Sequence, residues 1–149
     1  MGNCIFCDIV NGNAEAALVW QDDLVSAFMD RQPVNPGHVL IVPNHHAAYL
    51  ADLPEKSGAH MFRVAQRVAR AIRASGLRCE GVNLFLADGE AAGQEVFHVH
   101  LHVFPRFHGD GFGLRLPERY FTKPPRSELE DAAEKIRKRI RVDRTTAST

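Results

Sequence analysis

In the run FHVHLHVFPR, residues 97–106, three histidines alternate with apolar residues, and no other stretch of the chain restricts its fold as tightly. Successive side chains on a β-strand point to opposite faces. His98, His100 and His102 therefore share one face, and Val99, Leu101 and Val103 share the other. The aliphatic face belongs in a core. The histidine face is harder to satisfy structurally, because every neutral imidazole needs both a donor and an acceptor partner. Imidazole also serves as nucleophile, proton carrier or metal ligand near neutral pH. The spacing predicts a strand over residues 97–104 that carries a functional site.

The rest of the chain supplies a setting for that strand. Its 149 residues fit one domain able to bury a core without disulfides. Residues 18–21 and 24–30 read as a hairpin around Asp22 and Asp23. QPVNPG, residues 32–37, is a loop by composition, and residues 38–42 form an apolar strand that Pro43 ends. Residues 55–75 show helical periodicity, with Met61, Val64, Ala65, Val68, Ala69 and Ile72 on one stripe. Arg63, Arg67, Arg70 and Arg73 take the solvent side, and Gly76 is the expected cap. Residues 82–87 make a further strand. Ser127 and Glu130 have capping-box spacing at the start of a second helix, which runs to about Ile140. Residues 142–149 read as a flexible tail. The expected fold is α+β, a mostly antiparallel sheet with helices on one side.

Several function classes are disfavoured by composition. Lys+Arg and Asp+Glu both number 18, so a net charge of zero offers no electrostatic case for nucleic acid. No apolar run approaches the ~20 residues that span a bilayer. The start, MGNCIFCDIV, lacks the basic segment and apolar core of a signal peptide. Three cysteines, two of them spaced C-x-x-C, suit a reducing cytosol and a metal or thiol role. A cytoplasmic protein is expected.

Two chemistries fit the histidine face. His-x-His on a strand binds metals well, which would make His98, His100 and His102 the ligands of a metal-dependent hydrolase. A neutral imidazole is equally a nucleophile toward phosphorus, with its neighbours holding phosphate oxygens and protonating the leaving group. The adjoining loop DGEAAGQEV, residues 88–96, favours phosphorus. Gly89 and Gly93 permit close backbone approach, Gln94 adds an amide donor, and successive N–H groups can bind an anion.

With these residues in view, GQEVFHVHLHVFPR resembles the signature of the histidine triad superfamily, three histidines alternating with apolar residues after a Gly-Gln pair. The resemblance extends through CIFCDIV and FMDRQPVNPGHVLIVPNHH to GDGFG at residues 109–113. It implies a nucleotide hydrolase or transferase acting on a purine nucleotide, usually a homodimer whose subunits join their sheets. Carried over by position, His100 is the nucleophile that attacks the α-phosphorus and forms a nucleotidyl-histidine. His102 contacts the phosphate or leaving group, His98 completes the triad, and His38 orients the cluster. Gln94 and the backbone near Gly93 hold phosphate oxygens, in a loop that also carries Asp88, Glu95 and Val96. Asp30 matches a ribose-binding carboxylate. Phe28 and Ile9 are candidates for the base pocket, with ordinary core packing as the competing reading. Two positions depart from the pattern: Asp88 stands where Asn is frequent, and Glu95 where Ser or Thr is frequent. A carboxylate there bears on the class of leaving group.

Zinc-bearing members of that superfamily imply a role for the C-x-x-C pair. Their metal uses a histidine after the Pro-His strand and the first histidine of the triad. The matching set here is Cys4, Cys7, His46 and His98, with His45 adjoining His46 as an alternative. Such a zinc would be structural, supporting the nucleophile's strand rather than acting as Lewis acid. A nucleotide-binding scaffold with little turnover is the further alternative.

Overall fold

The computed structural model describes the backbone of residues 4–146 and side chains as far as residue 140. The chain divides between Phe112 and Gly113 into two units. The first contains a five-stranded, wholly antiparallel sheet in the order β1-β2-β3-β5-β4. Its strands are β1 (Leu18–Gln21), β2 (Val25–Met29), β3 (Val39–Pro43), β4 (Gly81–Phe85) and β5 (Leu101–Arg106). The β1–β2 hairpin forms as expected, and Asp22 sets its turn. One carboxylate oxygen accepts the N–H groups of Leu24 and Val25 at 2.9 and 3.0 Å, a side-chain mimic of a backbone turn.

Alternation along the strands separates two apolar clusters. Val25, Ala27, Val39, Ile41, Val99, Leu101 and Val103 face helix α2 (Glu55–Ala74) and meet its buried stripe of Met61, Val64, Ala65, Val68 and Ile72. Burying a side chain of this size stabilises by about 1.5–3 kcal/mol, so this layer carries the fold. The stripe is the expected one, and the helix stops where Gly76 takes a φ of +83°. On the opposite face, Phe28, Leu40 and Val42 pack with Phe6. Phe6 comes from a short helix, α1 (Ile5–Val10), that the sequence pattern did not reveal. The helices of this unit are therefore not all on one side of the sheet, because six residues are too few to show a periodic stripe.

The histidine strand is shorter than its alternation predicts. The β3–β5 ladder pairs only Val39, Leu40 and Ile41 with Val103, His102 and Leu101. Its partner strand ends at Pro43, which has no N–H to donate, so residues 97–100 cannot continue the ladder. They remain extended by other means, with the Val99 N–H bonded to the Ala47 carbonyl at 2.8 Å. Side-chain alternation survives this change.

The second unit holds a short 3-10 turn, Glu118–Phe121, and helix α3 (Arg126–Thr146). The helix passes the expected end at Ile140, so part of the expected tail is helical, and residues 147–149 lie outside the described residues. Glu130 pairs with Arg126 at 2.5 Å, an i,i+4 contact. Leu116, Tyr120, Phe121, Leu129, Ile136 and Ile140 are exposed. Among the described residues no helix is long and apolar enough to cross a membrane.

Candidate active site

Backbone groups select one tautomer for each histidine of the site. The Nδ1–H of His100 donates to the carbonyl oxygen of His98 at 2.8 Å. A neutral imidazole has one protonated nitrogen, so Nε2 of His100 keeps a free lone pair. His98 is wired the other way round. Its Nε2–H donates to the Pro43 carbonyl at 2.8 Å, which leaves the lone pair on Nδ1. The Val34 N–H donates to Nδ1 of His38 at 3.0 Å and so places that ring's proton on Nε2. From there His38 donates to Nδ1 of His102 at 2.9 Å, and His102 carries its own proton on Nε2. One ring thus presents a lone pair and its neighbour a proton.

Burial favours the neutral form of His38, His98 and His102. Burial pushes His38 below the usual imidazole range, with the Asp30 carboxylate pulling partly back. Burial, and then the rings of His100 and His38, push His102 down to about 4. Burial likewise lowers His98. Asp30 accepts the Gln32 N–H through one oxygen at 2.8 Å. Its other oxygen lies 3.6 Å from His38 and 3.9 Å from His102, so it keeps accepting capacity beside the histidines.

The upstream loop is arranged differently from the sequence expectation. Gln94 is buried, and its amide donates to the carbonyls of Ala48 and Val96 at 2.8 and 3.1 Å. Its oxygen accepts the Gly89 N–H at 2.7 Å. With every polar atom of that side chain engaged by backbone, Gln94 braces the loop and is not a free phosphate donor. Among the described residues the N–H groups of Glu95 and Val96 find no acceptor, so the anion-binding capacity is in the backbone. Asp88 accepts the Leu50 N–H at 2.8 Å, and Glu95 is exposed. Phe28 is interior, stacked edge-on against Phe6, and so does not line an open pocket; half-buried Ile9 packs at the margin of the same cluster.

Two groups gather potential metal ligands among the described residues, and neither is the trio His98, His100 and His102. Those three do not converge on one point: Nδ1 of His98 faces the cysteines, Nδ1 of His102 accepts from His38, and Nε2 of His100 has no partner among the described residues. Asp30, His38 and His102 come close enough for a cation, but His38 has no lone pair at Nε2 while Val34 holds its Nδ1. Cys4, Cys7, His46 and His98 are another matter. Nδ1 of His98 lies 3.4 Å from Cys4 Sγ, 3.5 Å from Cys7 Sγ and 3.3 Å from Nδ1 of His46. Cys7 Sγ is 3.3 Å from His46. A tetrahedral zinc with ordinary bond lengths separates its nitrogen ligands by about 3.3 Å and sulfur from nitrogen by about 3.6 Å. The residues present fit zinc, and His46 rather than His45 completes the set. Without a metal, burial and the neighbouring Cys4 and Asp8 push the Cys7 thiol up to about 11.

A model of the HIT domain matches residues 11–109. This chain belongs to the HIT family. It is 36% identical over 139 residues to the protein named hit of Bacillus subtilis strain 168, which covers 93% of this chain and 94% of that one. It is similar to the crystal structure of a zinc-bound histidine triad family protein from Mycobacterium smegmatis, with 43% identity and a TM-score of 0.72 over 78% of this chain and 84% of the other. It is also similar to a histidine triad nucleotide-binding protein from Candida albicans, with 27% identity and a TM-score of 0.81 over 93% and 97%.

Within this HIT site both nitrogens of His98 are committed, one to Pro43 and one to the cysteine cluster. Sequence reasoning missed Phe6, whose ring lies edge-on at 5.2 Å from His100 and 5.9 Å from His98. Its only signal was its place inside C-x-x-C. The partner of His60 was also missed. It pairs with Asp22 at 2.7 Å, tying α2 to the hairpin, and Trp20 donates to the same carboxylate at 2.7 Å. Burial pushes Asp22 up, but these bonds and those from Leu24 and Val25 outweigh it and hold the carboxyl well below the usual range.

Acid should destabilise this HIT protein in two stages. The folded pKa of His102 lies below the ordinary 6.5, so the unfolded chain binds the extra proton first. Its contribution is complete above 6.5 and is lost as pH falls toward about 4, worth up to about 3 kcal/mol. Asp22 adds a second loss below the ordinary carboxylate range. Urea midpoints should therefore fall from about pH 7 to pH 4.5, with a shallower slope in His102→Gln. A midpoint that stays constant over that interval would contradict the assignment.

Proposed function

We propose that this HIT protein is a nucleotide hydrolase or transferase that cleaves a nucleoside monophosphate from a phosphoanhydride or phosphoramidate. One observation carries the reading: the carbonyl of His98 takes the Nδ1–H of His100 and leaves Nε2 as an in-place nucleophile. In the first step that lone pair forms a bond to the α-phosphorus while the bond to the leaving group breaks. The Nε2–H of His102 donates a hydrogen bond to the departing oxygen or nitrogen, which takes its proton from water. In the second step water attacks the same phosphorus and the nitrogen–phosphorus bond breaks. The unengaged N–H groups of Glu95 and Val96 hold phosphate oxygens, and the free oxygen of Asp30 accepts from the ribose hydroxyls.

Cys4, Cys7, His46 and His98 hold a structural zinc in this reading, and the zinc-bound relative supports it. When bound, the metal fixes the His98 ring, while phosphoryl transfer stays with His100 and the hydrogen bond to the leaving group with His102. A homodimer joined along the free edge of β4 is part of the proposal, supported by exposed Leu84 and Phe85 on that strand.

The test is a panel of adenosine and guanosine phosphoramidates, diadenosine polyphosphates and 2′,3′-dideoxy analogues, quenched early and weighed by mass spectrometry. A nucleoside monophosphate adduct on the residue 98–102 peptide is expected for ribonucleotide substrates, and much less with the dideoxy series. Turnover without any adduct under rapid quench, or binding without turnover across the panel, would overturn the reading.

A further inference from the structure

The Cys/His cluster and the nucleophile meet in two places. His98 offers Nδ1 to the cluster and, through its carbonyl, holds the Nδ1–H of His100. Phe6 is the second link, since it lies between Cys4 and Cys7 in sequence and edge-on to His100 in space. Both cysteines are free and half-buried, and His46 is exposed, so small solutes reach this centre from one side. Cys4 caps α1 and Cys7 lies one turn on, a spacing that places Cα atoms about 5 Å apart, inside the range a disulfide spans.

We propose that this centre is a redox switch: two-electron oxidation of Cys4 and Cys7 to a disulfide releases the metal and unseats the nucleophile. The oxidant is a hydroperoxide. One metal-bound thiolate attacks it, giving a sulfenic acid and hydroxide. The second thiolate attacks that sulfur, forming the disulfide and expelling a second hydroxide. Two thiolates and hydrogen peroxide thus become one disulfide and two hydroxides, and the metal leaves as a dication. His98 and His46 then lose their common partner, and α1 no longer presses Phe6 on His100. The consequence for turnover rests on the proposed role of His100, but the displacement does not.

The experiment uses the zinc-loaded full chain carrying Cys79→Ser, so that only two thiols react. Hydrogen peroxide is added and removed with catalase. Three quantities are then read: zinc captured by a chromogenic chelator, the mass of the Cys4–Cys7 peptide, and the imidazole Nδ1–H resonance of His100. One zinc per disulfide is expected, together with loss of the His100 resonance. A fall in kcat of about tenfold or more, with KM little changed, should accompany it, and dithiothreitol plus zinc should restore all three. Cys4→Ser with Cys7→Ser should be insensitive to peroxide. A disulfide that forms while zinc stays bound, or while the His100 resonance persists, overturns the switch. If the resonance responds but the reduced protein forms no nucleotidyl adduct, the fault lies with the nucleotide reading.

Discussion

His100→Ala should lower turnover by at least about a thousandfold, equivalent to about 4 kcal/mol of lost transition-state stabilisation. Among the described residues the variant removes the only triad lone pair without a partner, since Nδ1 of His98 meets the cysteines and Nδ1 of His102 accepts from His38. His102 has its proton on Nε2 and His98 has both nitrogens engaged, so neither ring can stand in. Substrate binding should survive, because the backbone donors at Glu95 and Val96 and the Asp30 carboxylate remain, so kcat falls far more than affinity. His100 is buried against Phe6, and truncation to alanine leaves a void; His100→Gln fills it and should be equally inactive. Single-turnover kinetics alongside circular dichroism separate chemistry from folding. Near-normal turnover in a folded His100→Gln protein would end the covalent mechanism.

Loss of the cysteine ligands should have the largest effect on stability. Cys4→Ser with Cys7→Ser is expected to reduce zinc from about one per chain to almost none and to lower Tm by roughly 10 °C or more. The physical reason is that α1 has only six residues and a single buried side chain, Phe6, so the proposed zinc would supply much of what fixes it to the sheet. Chelator treatment of the native chain should reproduce the shift, and added zinc should reverse it only where both cysteines are present. A native protein that carries no metal when purified, and whose Tm ignores the chelator, would refute the assignment.

The sheet and its long helix were legible because their signals are local and repeated. The stripe Met61–Val64–Ala65–Val68–Ile72 faces the core as its period requires, and the 18–21 and 24–30 segments form the expected hairpin. Helix α1 was not legible, nor was the early end of the β5 ladder. The first is too short to show a period, and the second depends on where a different strand reaches its proline. Gln94 was misread because a glycine-rich loop advertises anion binding without saying which of its groups are already bonded.

Sequence alone determined that three imidazoles share a face, since strand alternation needs no knowledge of neighbours. It also marked the cysteine pair, and by resemblance it named the family that the comparisons then established. What each imidazole can do was decided only by tertiary structure. The three rings are chemically identical, and their tautomers are set by the partners each finds in the fold: Pro43 for His98, the His98 carbonyl for His100, and Val34 through His38 for His102. A proton on one nitrogen rather than the other separates ligand, nucleophile and hydrogen-bond donor. That choice belongs to the hydrogen bonds of the folded chain, which no residue type encodes.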